Sequence, residues 1–264
     1  MDYDLVTYTI ENHIATIKLN RPESMNALNR EAYAQLESAF LDAHSNPDVR
    51  CVVLTGEGRA FCSGDDVKQI MLGEQREQTQ QRLRDVRPRP TPAAKAILEC
   101  DKPVIAAVNG AAVGWGMDMS LFADIRIASK EAKFGELFIK RGLVADLGGL
   151  WRLPSVVGPS KAAELLFTGD VITADQALEI GLVSQVTEPD ELLDAANAIA
   201  AKIAANPPIA MRYMKEGLRR SRHATMDEMG AYVGSSLAYL FTTEDHKEGA
   251  TAFVERREPV FKGQ

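Results

Sequence analysis

The chain lacks the patterns that usually bind metal ions, nucleotides or nucleic acids. It has neither a GxGxxG fingerprint nor a P-loop, which argues against nucleotide-phosphate recognition by those loops. Its formal net charge is -7, whereas nucleic-acid binders rely on a basic surface. The four histidines lie far apart and show no metal-ligand spacing: His13, His44, His223 and His246. We therefore predict no metal, no separate cofactor and no nucleic-acid partner.

The chain also lacks the features of membrane and disulfide-rich proteins. No apolar run reaches the roughly 18 residues of a membrane span, and no signal or transit peptide is recognised at the start. The cysteines, Cys51, Cys62 and Cys100, are odd in number and have no CxxC spacing, which favours reduced thiols. We expect a cytoplasmic protein without disulfides or a membrane span.

What the sequence does contain is an alternation of strand and helix patterns within 264 residues, of which 45% are apolar. Such alternation with glycine turns predicts an α/β layered core. The helix from Arg30 to about His44 has Asn29 as its predicted N-cap. The predicted strands are Leu5–Ile10, Ile14–Leu19, Cys51–Thr55, Val104–Val108, Ile125–Ala128 and Leu182–Val186. Further helices are predicted to begin near Met117, to cover Lys161–Phe167 and Ala174–Ile180, and to fill most of the chain after Glu188.

Two loops share one plan, in which an apolar strand leads into a glycine-rich turn. Residues 56–64 follow the first such strand and residues 109–116 follow the second. Gly64 and Gly114 would let the backbone at Asp65 and Trp115 approach a ligand closely. Two such N–H groups converging on one oxygen would stabilise an enolate, and losing one donor costs about 3 kcal/mol of barrier. Ordinary turns remain the alternative explanation.

Seven segments resemble landmarks of the enoyl-CoA hydratase/isomerase (crotonase) superfamily, in the expected order and nearly end to end. They are LNRPESMNAL at 19–28, GRAFCSGDD at 58–66, KPVIAAVNG at 102–110, ADIRIA at 123–128, FTGD at 167–170, ALEIGLV at 177–183 and EGATAFVERR at 248–257. The resemblance implies an acyl-CoA thioester as substrate, with coenzyme A entering only as part of it.

The resemblance also implies an architecture and a set of contacts. It implies a spiral of ββα units over residues 1–200 and a helical trimerisation region over 201–264, in a homotrimer or a hexamer formed as a dimer of trimers. It places the oxyanion-hole amides at Asp65 and Trp115, where the family usually has small residues. The implied substrate contacts are Ala27, Ser63, Gly64, Gly114, Phe138, Arg257 and Lys262.

By the same motifs, the two hydratase glutamates of the family correspond to Asp118 and Phe138. A phenyl group cannot transfer protons, so Phe138 argues against efficient hydration. Glu136 is only two residues away, but on a strand or a helix it would point elsewhere. For Asp118, stabilisation by the helix macrodipole competes with a catalytic role.

Asp146 supplies another carboxylate, at a position where dienoyl-CoA isomerases and the phenylacetate-pathway ring-epoxide isomerase carry a catalytic aspartate. A carboxylate in a dry acyl pocket would gain basicity. We therefore favour an isomerase in which Asp146 removes a proton and Asp118 assists. A simple helix N-cap is the alternative for Asp146. A hydratase using Asp118, a hydrolase or dehalogenase with Asp146 as nucleophile, and a non-enzymatic scaffold remain open.

Basic residues near the end of the chain are candidates to meet the phosphates of coenzyme A. Arg256, Arg257 and Lys262 lie in a charged segment, and in this family such residues reach a neighbouring subunit. A solvated charged surface is the alternative. The polar, proline-broken stretch at 72–92 is predicted to be a surface connector. Four methionines at helical spacing are predicted to be core or subunit contacts: Met211, Met214, Met226 and Met229.

Overall fold

The computed structural model describes residues 4–72 and 90–264. The central part of the predicted surface connector, residues 73–89, lies outside the described residues. Where the description resumes, Thr91 caps a helix at Pro92–Glu99 by accepting a hydrogen bond from the Ala94 amide. The sequence analysis did not predict this helix, because its prolines were interpreted as breakers. Proline at the first helical position is in fact favourable, since its missing N–H has no intrahelical partner there.

A six-stranded sheet forms the centre of the fold. Its strands are β1 (Val6–Glu11), β2 (Ile14–Leu19), β3 (Cys51–Gly56), β5 (Val104–Val108), β7 (Ile125–Ser129) and β10 (Gln185–Thr187), adjacent in that order. The β1–β2 pair is antiparallel and the others are parallel. The predicted hairpin and the strands at 51, 104 and 125 are confirmed within one residue. The last strand begins three residues later than predicted, because Leu182 and Val183 belong to the buried turn before it.

A second, four-stranded sheet contains parts of the two glycine-rich loops. Its strands are β4 (Ala60–Cys62), β6 (Ala111–Val113), β8 (Lys133–Gly135) and β9 (Ile172–Thr173). β4 and β6 lie inside segments that we had treated as loops, and they are too short for their alternation to be detected. A long strand is followed by a short one and then by helix, which confirms the predicted ββα spiral.

Helices cover both faces of the larger sheet. The main core includes Val52 and Leu54, whereas Cys51 and Val53 face the opposite side, as the two-residue period of a strand requires. There they meet the helix Leu192–Ala204 through alanine and leucine side chains at four-residue spacing. The three cysteines are buried with free thiols.

The helices are α1 (Arg30–Ser45), α2 (Pro92–Glu99), α3 (Trp115–Phe122), α4 (Leu153–Val157), α5 (Pro159–Thr168), α6 (Ala174–Glu179), α7 (Leu192–Ala204), α8 (Pro208–Arg220), α9 (Met226–Leu240) and α10 (Glu244–Glu255). Asn29 caps α1 as predicted, accepting from the Ala32 amide. None of the helices within 4–72 and 90–264 has the length and apolar character of a membrane span.

The last three helices expose apolar side chains. Met214 and Met226 are 63% and 86% exposed, so they do not belong to the core of this chain. A role for these two methionines in subunit contacts stays a prediction. The proposed boundary between a core at 1–200 and a helical region at 201–264 stays a prediction.

Candidate active site

The two glycine turns meet because the short strands that precede them are neighbours. β4 and β6 run parallel, with Cys62 paired to Ala112. The chain then continues from both strands at the same edge of the small sheet. The turns are in direct contact, since a Cβ added at Gly116 would lie 2.0 Å from the Cys62 carbonyl oxygen. Only glycine allows this approach.

Where each turn ends, a backbone N–H has no acceptor in the described part of the chain. Leu28 N donates to Gly64 O at 2.8 Å and Asp66 N donates to Leu28 O at 2.9 Å, which leaves the intervening Asp65 N–H free. The Trp115 N–H, at the first position of α3, is also free. A Cβ added at Gly64 would lie 3.3 Å from Trp115 N. Gly64 therefore adjoins both free amides, and its φ of +89° also favours glycine.

The side chains of the two amide donors are directed away from this space. Tyr33 donates its hydroxyl hydrogen to Asp65 Oδ1 at 2.6 Å, and its ring packs edge-on against Trp115 at 4.8 Å. Burial raises the pKa of Asp65, and the hydrogen bond from Tyr33 opposes that rise. Because the Asp65 carboxylate is turned toward Tyr33, it need not repel a negative oxygen at the main-chain amides.

Asp118 is fully buried on α3, and its two oxygens differ. Oδ1 accepts the N–H of Gly149, whereas Oδ2 has no partner among the described residues. A Cβ added at Gly148 would lie 2.1 Å from Asp118 Oδ1, so a glycine is required at that position. Asp118 Oδ1 thus holds the start of the helical segment that contains Gly148 and Gly149, whereas Oδ2 remains available to a ligand.

Glu136 corrects our expectation that its side chain would point elsewhere. It is only 1% exposed, and neither carboxyl oxygen has a partner within the described residues. The chain leaves β8 at Gly135 and enters a 3-10 helix at Leu137–Arg141. Between them Glu136 has φ -88° and ψ 78°, which is neither strand nor helix geometry. This bend turns the carboxyl group inward, and a Cβ added at Gly149 would lie 3.0 Å from its Cδ.

Asp146 is half-buried and close to the same cluster. Its Oδ1 accepts only the adjacent Leu147 N–H, at 2.7 Å. A conventional N-cap would accept from an amide two or three residues into the helix, and here the Gly149 amide is taken by Asp118 instead. The negative charge of Asp146 raises the pKa of Asp65, Asp118 and Glu136. The Asp146 carboxylate therefore lies near all three.

The two buried carboxyl groups hold protons more tightly than ordinary carboxyls. Burial, followed by the charges of Glu136 and Asp146, raises the pKa of Asp118 well above its usual range. Burial and then the charge of Asp146 raise the pKa of Glu136 to about 8. Environments that separate the proton affinities of neighbouring carboxyls divide them into acids and bases. The raised pKa values of Asp118 and Glu136 make these two side chains candidate proton donors.

The predicted substrate contacts fall into two groups. Ala27, Ser63, Gly64 and Gly114 lie at the amide donors, and Phe138 packs partly buried against the main core. Arg257 and Lys262 are not brought to the carboxyl cluster by any contact of the described chain. The Arg257 guanidinium binds Glu248 and Glu255. Lys262 lines a separate cavity of about 150 Å³ between Arg50 and Arg212.

No group of three His, Cys, Asp or Glu side chains in 4–72 and 90–264 is placed to hold a metal ion. The arrangement instead combines two main-chain donors with carboxyl groups of different basicity. Such a site can stabilise negative charge on a carbonyl oxygen while protons move at the neighbouring carbons.

Comparisons with known proteins point to one family. The family model for enoyl-CoA hydratase/isomerase matches residues 9–264. The chain is 39% identical to the (E)-benzylidenesuccinyl-CoA hydratase of Thauera aromatica, over 98% of this chain and 99% of the relative. It is 33% identical to the 1,2-epoxyphenylacetyl-CoA isomerase of Escherichia coli, over 97% of each chain.

A solved structure extends the comparison to the fold. The crystal structure of an enoyl-CoA hydratase from Mycobacterium tuberculosis superimposes with a TM-score of 0.90 at 37% identity, covering 99% of this chain and 100% of that one. The spiral and the C-terminal helices are therefore shared along the full length of both chains.

Proposed function

The chain belongs to the enoyl-CoA hydratase/isomerase family, and we propose that it isomerises an unsaturated acyl-CoA by moving a proton beside a thioester enolate. One observation carries this proposal. The free N–H groups of Asp65 and Trp115 adjoin Gly64. A cluster of carboxyl groups that differ in basicity lies on the helix that begins with Trp115 and on the segment around Gly149 that packs against this helix. The family's chemistry requires both components.

In the proposed reaction, the thioester oxygen accepts hydrogen bonds from the Asp65 and Trp115 amides. Asp146 removes a proton from the acyl chain, and the electrons of that C–H bond pass to the thioester oxygen as the enolate forms. The amides stabilise this negative charge because they are already oriented and exchange no partner during the reaction. A proton then returns at another carbon and restores the carbonyl group.

Three features support Asp146 as the base. Its neighbours Asp118 and Glu136 retain protons up to higher pH, its carboxylate is not consumed by a conventional cap, and a half-buried position gives it access to a ligand. The isomerase from Escherichia coli covers 97% of this chain at 33% identity, which supports the same class of reaction.

Hydration of a 2-enoyl-CoA is the second candidate, and Glu136 is the specific observation in its favour. The argument against hydration was that Phe138 removes one of two proton-handling groups. Because Glu136 adds a buried carboxyl group near Asp118, a water molecule could be activated and a second proton supplied. The relative from Thauera aromatica is named a hydratase at 39% identity.

A screen of acyl-CoA esters with product analysis tests the proposal. The panel would contain 2-enoyl, 3-enoyl and dienoyl esters with straight and aromatic chains, analysed by mass spectrometry and NMR. We expect double-bond migration without a change of mass. A gain of one water would support hydration instead, and failure to bind any ester by calorimetry would contradict both functions.

We further propose that the chain acts as a homotrimer or a dimer of trimers, formed through the helices after residue 200. The apolar side chains exposed on α8 and α9 support this, since Met214, Leu218 and Met226 are each more than 60% exposed. In such an assembly Arg257 and Lys262 would approach the coenzyme A of a neighbouring subunit. Analytical ultracentrifugation of the ligand-free protein measures its oligomeric state, and a monomer at micromolar concentration would contradict the proposed trimer.

A further inference from the structure

We propose that Glu136 is a second proton-transferring residue of this site and holds the proton that returns to the acyl chain. The inference deepens the proposed isomerase function and depends on it. It is independent of the resemblance to known family members, which places hydratase glutamates at Asp118 and Phe138 rather than at position 136.

The first argument is that Glu136 has no structural role that would explain its burial. Its side chain is 1% exposed, and its two oxygens neither bind a cation nor accept an N–H within the described residues. Buried polar groups are almost always hydrogen-bonded, and an unpaired one destabilises the fold. A leucine would avoid that cost. Groups retained in this condition are typical of reaction sites.

The second argument is the position of Glu136 relative to the other carboxyls. Gly149 lies between two of them, because its N–H binds Asp118 Oδ1 and a Cβ added to it would lie 3.0 Å from Glu136 Cδ. The absence of a side chain at Gly149 therefore lets its backbone pack directly against Glu136 while its N–H binds Asp118. The charge of Asp146 acts on both Asp118 and Glu136, so the three carboxyl groups lie near one another.

The third argument is the division of proton affinity. Burial and the charge of Asp146 raise the pKa of Glu136 to about 8, so it carries a proton at neutral pH. A protonated carboxyl group without a protein acceptor is available as a donor to a ligand. Asp146 cannot easily remove the first proton and also deliver the second one if the two carbons lie on different sides of the acyl chain.

The proton balance closes without another reactant. Asp146 gains the proton from the first carbon as that C–H bond breaks. The Glu136 O–H bond then breaks and a C–H bond forms at the second carbon, while the enolate electrons restore the carbonyl group. Asp146 is now neutral and Glu136 is ionised. The proton moves back from Asp146 to Glu136 through Asp118, whose Oδ2 has no other partner, or through solvent.

Isotope labelling distinguishes one carboxyl from two. The wild-type protein is equilibrated in D₂O and mixed in excess with an unlabelled substrate from the screen, and the product of a single turnover is analysed. We expect solvent deuterium at the newly protonated carbon, because Glu136 enters the reaction deuterated. Retention of the original hydrogen at that carbon would mean that Asp146 returns its own proton, and would overturn the inference.

Variants locate the deuteron donor. Glu136→Gln should reduce the single-turnover rate by about 10²-fold and shift the residual product toward retained hydrogen, whereas Glu136→Asp should recover part of both. Glu131→Gln is the matched control, because Glu131 is exposed before β8, and it should match wild type. Unchanged labelling and rate in Glu136→Gln would overturn the inference.

Two further outcomes are separable from these. If no ester of the panel isomerises with wild-type protein, the proposed function fails rather than the assignment of Glu136. If Glu136→Gln does not fold, as judged by circular dichroism, Glu136→Asp takes its place: a changed rate or labelling supports the inference, and wild-type values for both overturn it.

Discussion

The two halves of the candidate site are built on opposite principles. The amide half consists of main-chain N–H groups at Asp65 and Trp115, and any residue except proline would supply them. The carboxyl half consists of Asp118, Glu136 and Asp146, where in our proposal the side chains themselves do the chemistry. The first half depends on where glycines allow the chain to pass, and the second depends on where side chains are directed.

This contrast explains why the residues at the amides can be unusual without loss of the donors. Aspartate and tryptophan replace the small residues typical of the family, yet Tyr33 binds the Asp65 carboxylate and packs against the Trp115 ring. In the carboxyl half, by contrast, one changed side chain alters the available chemistry. The predictions below test whether the two halves respond to substitution in these different ways.

The largest effect should come from Asp146→Asn. An amide cannot accept a proton at neutral pH, so we expect solvent-deuterium exchange into a bound unsaturated acyl-CoA to fall by about 10⁴-fold. Asp118→Asn should slow exchange by only about tenfold, since the asparagine oxygen can still accept the Gly149 N–H. NMR of exchange under identical conditions measures both. Full activity in Asp146→Asn would remove the base from our mechanism.

A somewhat smaller loss should follow from Gly64→Ala in the amide half. The new methyl group would lie 3.0 Å from Val113 O and 3.3 Å from Trp115 N, beside both donors and at a φ that alanine adopts poorly. We expect kcat/KM to fall by about 10² to 10³-fold. Gly230→Ala is the control, because its Cβ would meet no atom within 4 Å. It should retain activity, and equal activity in the two variants would contradict the placement of the donors.

The contrast between the halves also accounts for what the sequence could predict. Strand periodicity and glycine spacing located β3, β5 and both turns, so the amides at Asp65 and Trp115 could be proposed as donors from the sequence. A main-chain donor can be located from the course of the backbone alone, without knowing where side chains point. The family landmarks gave the spiral, since they occur in order along the whole chain.

Side-chain direction outside regular structure could not be predicted in the same way. Glu136 was expected to point away on a strand-like or helical backbone unless the loop was rearranged, and the chain adopts neither geometry at that residue. Asp146 was singled out from the sequence, but the capping role that we weighed for it is largely taken by Asp118 from a distant helix. Such long-range pairings have no local signal.

In the carboxyl half, the Glu136→Gln substitution should also change the stability of the folded protein. The pKa of Glu136 rises from an ordinary value of 4.5 to about 8 in the fold, so the folded protein binds the proton more tightly than the unfolded chain. The stability this contributes is fully present below pH 4.5 and is lost as pH rises through about 8. Glutamine carries no charge to bury, so the variant should gain about 1 to 3 kcal/mol over wild type at alkaline pH and much less at pH 5.

Denaturant unfolding of both proteins across this pH range measures the difference. The expected difference in stability arises because the buried Glu136 carboxyl becomes ionised as pH rises. A difference between variant and wild type that stays constant with pH would therefore contradict the burial of Glu136.

The smallest effect should come from Asp65→Ala, and it is the strictest test of the contrast. The substitution keeps the main-chain N–H and removes a carboxylate that is directed at Tyr33, so we expect kcat/KM to stay within about threefold of wild type. Stability should fall by about 1 kcal/mol, because the Tyr33 hydroxyl loses its acceptor in a partly buried position. Tyr33→Phe, with and without Asp65→Ala, forms a double-mutant cycle that isolates this pair. A large loss of activity in Asp65→Ala, with the cycle showing intact packing, would mean that the aspartate side chain takes part in the chemistry and that the amide half is not made of backbone alone.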